Sequence, residues 1–92
     1  MTSIKVRYEM FLTEEGAVNS KYSPDYSDMV LVLPNQSYEN VAVMIMEEKF
    51  SDVRRNWGGE VMRFVVLYDE LKHRIGVYKV VFNCESGKAR NE

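Results

Sequence analysis

Apolar residues recur at helical spacing over one long stretch of the chain, Ser37 to Arg55 (SYENVAVMIMEEKFSDVRR). At about 100° per residue, Tyr38, Val41, Ala42, Ile45, Met46, Phe50 and Val53 fall on one stripe, so this stripe is the expected core face of a helix. Ser37 suits the N-cap, because its hydroxyl can accept a first-turn N–H, and Pro34 stops any strand running into it. Glu39 in the first turn and Arg54–Arg55 in the last suit the helix dipole. Asn56 and Gly58–Gly59 supply a C-terminal stop. Lys49 falls within the apolar stripe, so its stem is expected to run along apolar surface with the ammonium reaching water. Met44 falls on the opposite face with Glu47 and Ser51.

The remaining segments read as strands and turns. Ser3–Leu12 alternates: Ile4, Val6, Tyr8, Met10 and Leu12 point one way, while Lys5, Arg7, Glu9 and Phe11 point the other. Thr13–Gly16 reads as a turn and Ala17–Tyr22 as a short second strand, followed by a loop around Pro24. Met29–Leu33 (MVLVL) is an unbroken apolar run, the pattern of a central strand buried on both faces. Glu60–Tyr68 and Arg74–Asn83 are rich in Val, Phe and Tyr and read as a β-hairpin closed by Asp69–His73. A helix over residues 60–75 competes, since Val61, Phe64, Val65, Tyr68, Leu71 and Ile75 also fit helical spacing; it would leave Met62, Val66 and Leu67 exposed. Gly76 within the last strand marks a bulge or a close approach of another backbone. The expected fold is therefore α+β: an antiparallel sheet of four to five strands packed on one main α-helix, in the order β-(β)-β-α-β-β. Residues 1–84 form the single domain, and 85–92, polar and without periodicity, are expected as a flexible C-terminal tail.

Both faces of the hairpin are mainly apolar. Val61, Val65 and Leu67 lie with Arg63, opposite Met62, Phe64, Val66 and Tyr68. In the last strand Ile75, Val77 and Val81 lie with Lys79, opposite Tyr78, Val80 and Phe82. One helix covers one face of a sheet, so the other needs a cover: the Thr13–Asp28 segment folding back, a second copy of the chain, or a partner. The pattern favours a homodimer or a stable complex.

Composition changes this picture little. The 92 residues are 46% hydrophobic and 28% charged, ordinary values for one globular domain. The net charge of −2 hides an asymmetry: residues 1–52 carry nine acids and four bases (net −5), residues 53–92 five acids and eight bases (net +3). Such a dipolar surface can orient a partner. One Cys, Cys84, excludes an internal disulfide and suits a reducing compartment. No apolar run approaches the roughly 20 residues that span a bilayer, and no signal-peptide pattern opens the sequence, so the expected setting is cytoplasmic without membrane contact.

Candidate chemistry is sparse. Glu70 and the single histidine, His73, have the E-x-x-H spacing of a helical metal ligand pair, but no other helix supplies further carboxylates, so no metal is expected. Cys84 with His73 is the one thiol–imidazole pair the composition allows, and nothing in the spacing joins them. Gly58–Gly59 ends a helix where a phosphate loop would open one. No catalytic residue, metal or cofactor is therefore assigned, and a small enzyme is the least favoured class. The favoured reading is a non-enzymatic protein-binding domain acting as an adaptor or inhibitor; size and lack of motifs suit a phage or mobile-element accessory protein that inhibits a host system. Its expected surface combines Tyr22, Tyr26, Met44, Glu47, Glu48, Asp52 and Trp57: aromatic anchors, an adaptable Met, and acids to meet a basic patch. Trp57 serves equally as a core plug, and Tyr22 and Tyr26 as a lid on the core. The alternative is single-stranded nucleic-acid binding through the open sheet face, with Lys5, Arg7, Arg63 and Lys79 on phosphates and Phe11 stacking on a base. Against it stand the negative net charge and a pI of about 5.4.

Overall fold

The Glu60–Tyr68 run folds as a strand and not as the competing helix, since as a strand it places Val61, Val65 and Leu67 on one covered face and Phe64 and Val66 on another. The protein is described by a computed structural model over residues 3–19, 23–24, 26–51 and 59–92. In chain order the elements are β1 (Ile4–Phe11), α1 (Glu14–Asn19), β2 (Tyr26–Val32), α2 (Tyr38–Phe50), β3 (Glu60–Tyr68), β4 (Arg74–Asn83) and β5 (Lys88–Asn91). They build one five-stranded sheet in the order β2-β1-β3-β4-β5, with every neighbouring pair antiparallel. The α+β architecture of an antiparallel sheet on one main helix is thus present, with α1 where the optional second strand was expected to begin and β5 added at the end.

α2 starts where its cap residue dictates. Ser37 is extended (φ −73°, ψ 150°), and its hydroxyl accepts the Asn40 N–H at 3.2 Å. Val41, Ala42, Ile45, Met46 and Phe50 are buried against the sheet, as the stripe requires, while Tyr38 at the entrance is exposed. Residues 52–58, with Val53, Arg54, Arg55, Asn56 and Gly58, lie outside the described residues. The face under α2 carries the main core: Val6, Tyr8 and Met10 of β1, Val61, Val65 and Leu67 of β3, Val80 and Phe82 of β4, and Cys84 beyond it. Lys49 does snorkel. Its ammonium lies 5.5 Å from the Tyr26 ring centroid and beside the Tyr8 hydroxyl, which raises the ammonium's pKa.

The second face is covered from within the chain. Ala17–Asn19, expected to begin a strand, belong to α1, whose start is capped by Thr13: its hydroxyl accepts the Gly16 N–H at 3.1 Å and its carbonyl the Ala17 N–H at 3.2 Å. Ala17 packs with Phe11, Phe64 and Val66 in a second core cluster, with Tyr68 and Val77 against it. The Arg74 guanidinium donates to the Val18 and Ala17 carbonyls at 3.1 and 3.2 Å, which satisfies the open end of this short helix. The two-sided apolar hairpin therefore does not by itself call for a second copy; the first of the three expected covers is the one present.

Three further expectations are corrected. Met29–Leu33 is not central: β2 is the outer strand, and most of its side chains are exposed. Residues 88–91 are not a frayed tail. The Asn83 side chain accepts the Glu85 and Ser86 N–H groups, each at 2.9 Å, Gly87 takes φ 72°, and the chain turns back onto β4. The register shift between Leu67 and Tyr68 breaks the alternation near Arg74, so Ile75 packs with the α2-side core and not beside Val77. At Gly76 the close approach is made by a ring of its own strand. A Cβ there would lie 2.9 Å from the Tyr78 hydroxyl oxygen.

Candidate functional site

The two edges of the sheet differ in kind. β5 is four residues long, carries Lys88 and Arg90, and is tied down by α2: the Ala89 N–H donates to Glu47 Oε2 at 2.9 Å, and the Asn91 amide donates to the Glu39 carbonyl at 3.0 Å. Short length, charge and a covering element are the usual protections of an edge. Among the described residues β2 has almost none of them. It is seven residues long and contains no Lys, Arg or Pro. Along it Met29 and Leu31 are exposed, Leu31 to 65%, and Leu33 continues the run beyond the strand.

Backbone parity shows what this edge offers. The Met29 N–H donates to the Asp28 carboxylate at 2.8 Å, so it points away from β1. In an antiparallel strand a residue's N–H and C=O point to the same side, and alternate residues repeat it. Ser27, Met29 and Leu31 therefore turn their backbone groups outward, and their side chains share the face of the sheet opposite α2. On that face β1 sets Lys5 beside Leu31, Arg7 beside Met29 and Glu9 beside Ser27.

Next to this strip is a groove of about 600 Å³, lined by Arg7, Glu9, Ser27, Met29, Tyr68 and Lys72 among others. The Tyr68 hydroxyl donates to Glu9 Oε1 at 2.8 Å across the β1–β3 pair. Burial and the Glu9 carboxylate push the Tyr68 pKa up, with Arg74 opposing. Glu9 is thereby engaged, whereas the side chains of Lys5, Arg7 and Lys72 make no hydrogen bond or ion pair with a described residue. Lys72 stands at the tip of the β3–β4 turn with φ 67°. A second, more apolar groove of about 440 Å³ lies around the corner, with Ile4, Tyr38, Leu71 and Ile75 in its wall.

Of the side chains expected to form a protein-binding surface, the described ones do not form one patch. Tyr22, Asp52 and Trp57 lie outside the described residues. Tyr26 packs edge-on against Phe50, ring centroids 6.2 Å apart, at the α2 side of β2. Met44 is on the outer side of α2, its sulfur 3.1 Å from the Gln36 amide, and Glu48 is exposed nearby. Glu47 is half-buried and engaged by Ala89, a structural use that the helical pattern did not reveal.

The nucleic-acid set is also divided. Lys5, Arg7 and Lys79 do share the face opposite α2, but Arg63 is on the α2 face, its guanidinium 5.3 Å from the Phe50 ring centroid. Phe11, the expected stacking platform, is 3% exposed beneath α1. His73 and Cys84 sit at opposite ends of β4, and His73 Nδ1 lies 3.5 Å from Asp69 Oδ2 in the exposed turn. Among the described residues no three potential metal ligands are grouped, and no helix is long and apolar enough to cross a membrane. Comparison with protein-family models, curated proteins and solved structures finds no match for the chain.

Proposed function

We propose that the protein works by binding another protein along the open β2 edge, as an adaptor or as an inhibitor that occupies its partner's site. The contrast between the two sheet edges supports this reading: among the described residues β5 is protected, whereas the longer, more apolar β2 has no strand paired to its outer side. An open edge offers main-chain hydrogen bonds for affinity and alternate side chains for specificity, so binding there needs no catalytic group. Burial of Phe11 and the position of Arg63 weigh against single-stranded nucleic acid as the ligand.

The test is affinity capture from a nuclease-treated lysate of the source cell. The immobilised full chain is compared with its Leu31→Lys and Met29→Lys variants, both changed at exposed positions. A protein retained by the wild type and lost by both variants supports the reading. Equal retention by all three, or recovery only when nuclease is omitted, refutes it.

A further inference from the structure

We propose that the segment this edge takes up is an extended strand of another protein, apolar in its middle and acidic at its ends, added antiparallel to β2 as a sixth strand. The proposal rests on the protein-binding reading above and assigns the partner's chemistry. Four observations lead to it.

The backbone of Ser27, Met29 and Leu31 faces outward, and the Met29 N–H is held by the exposed Asp28 side chain, which a new strand's carbonyl can displace. The side chains above that backbone, Met29 and Leu31, are apolar and exposed, so the central residues of an incoming strand meet apolar neighbours. One strand further in stand Lys5 and Arg7, which lack a partner among the described residues; an incoming strand would lie about 10 Å from β1, within reach of such long side chains when they lean across Met29 and Leu31. Lys72 borders the same groove. The one acid of β1 on this face, Glu9, is engaged by Tyr68. Lys5, Arg7 and Lys72 outnumber Glu9 and Asp28 here, so the surface beside the open edge is net positive, and acids at the ends of the incoming strand complement it. A second copy complements it poorly. Antiparallel pairing of β2 with itself brings another Lys5 and Arg7 to the same strip, and the Glu9 and Asp28 that come with them are outnumbered once Lys72 is counted.

The experiment uses the full ¹⁵N-labelled chain and three heptapeptides followed by amide chemical shifts. The first is Glu-Thr-Leu-Thr-Leu-Thr-Glu; the others carry Gln or Lys at both ends. The acidic peptide is expected to shift the amides of Ser27, Met29 and Leu31 and to bind about fivefold more tightly than the Gln peptide, the size expected of two exposed charge pairs. The Lys peptide is expected to bind weakest. In the Lys5→Glu/Arg7→Glu variant the order is expected to reverse, and Asp28→Ala is expected to tighten binding of the acidic peptide by freeing the Met29 N–H.

Equal binding of all three peptides at β2 overturns the acidic chemistry and leaves the edge reading standing. If no peptide shifts β2 and sedimentation finds a dimer that Leu31→Lys disperses, a second copy is the occupant and the proposal fails. If neither is seen, the edge reading fails with it. A 15-nucleotide oligo(dT) that shifts Lys5 and Arg7 where no peptide binds transfers the surface to nucleic acid and also overturns the proposal.

Discussion

Arg74→Met tests whether the cover over the second sheet face is held in place by one side chain. α1 has six residues, too few to be stable in isolation, so its position depends on what it touches. It has three supports: burial of Ala17 against Phe11 and Phe64, the Thr13 cap, and the two Arg74 hydrogen bonds. Met keeps most of the apolar stem and removes both donors. A hydrogen bond to a charged group contributes about 1.5–3 kcal/mol in general, but these two are exposed or half-buried, so about 0.5–1 kcal/mol each is the right scale. Together they stabilise the docked helix by about 1–2 kcal/mol, a factor of about 5–30 in its opening equilibrium. Hydrogen exchange of the Ala17 amide, bonded to the Thr13 carbonyl, is expected to accelerate by that factor. Urea unfolding supplies the control through a double-mutant cycle. Ala17→Glu places a charge where Ala17 is fully buried and should undock α1, after which Arg74→Met should cost only what the guanidinium contributes at Tyr68. Unchanged exchange at Ala17, or additive losses in the cycle, would show that Arg74 does not hold α1.

Three other outcomes follow from the same geometry. Ser37→Ala should lower unfolding stability by about 1 kcal/mol and Ser37→Gly by less, as read from urea midpoints, because the hydroxyl caps the Asn40 N–H. Phe82→Ala should cost about 3–5 kcal/mol, enough to leave a domain of this size near its unfolding threshold, visible as loss of amide dispersion at 37 °C. Stability should also fall at high pH. Burial raises the Tyr8 and Tyr68 hydroxyls above the usual 10.0, so their contribution is complete below that value and is lost as pH rises through the folded-state pKa. The urea midpoint should drop above about pH 10, and Tyr68→Phe should make the drop shallower; a midpoint that rises with alkalinity contradicts the assignment.

Periodicity made α2, β1 and the β3–β4 hairpin legible, because each has one dominant apolar stripe or alternation that the fold buries. It failed where local pattern and tertiary position part company. An apolar run such as MVLVL has the same composition whether a strand lies between two others or at an edge, and here nothing in residues 29–33 announced that β1 would pair with β3 on its other side. Ala17 and Val18 have no helical repeat long enough to detect; α1 exists because Phe11, Phe64 and Val66 need a cover and Arg74 closes its end. β5 has no hydrophobic signal at all, since it is held by backbone pairing, by Glu47 and by an Arg90–Glu60 ion pair of 2.8 Å. The basic residues Lys5, Arg7 and Lys79 were rightly placed on one face by alternation, but only the pairing register could move Arg63 to the other. The open edge was illegible for the same reason as β2's position: edges belong to the sheet order and not to the strand.

Glu47 and Glu48 separate the two surfaces that protein binding can use. They are adjacent in sequence, yet only Glu47 is tied into the fold, through the Ala89 N–H. Glu47→Ala should loosen β5 and cost about 1 kcal/mol, seen as faster exchange of the Ala89 amide. It should not create a competing docking edge, because a four-residue strand carrying Lys88 and Arg90 is a poor template for pairing. Glu48→Ala, at an exposed position, should leave stability unchanged. If the partner docks on β2, neither substitution alters its affinity once the folded fraction is accounted for, whereas Leu31→Lys abolishes binding without loss of stability. If Glu48→Ala weakens binding while Leu31→Lys does not, the partner sits on the outer side of α2 beside Met44, and the open edge of β2 is only an unprotected strand.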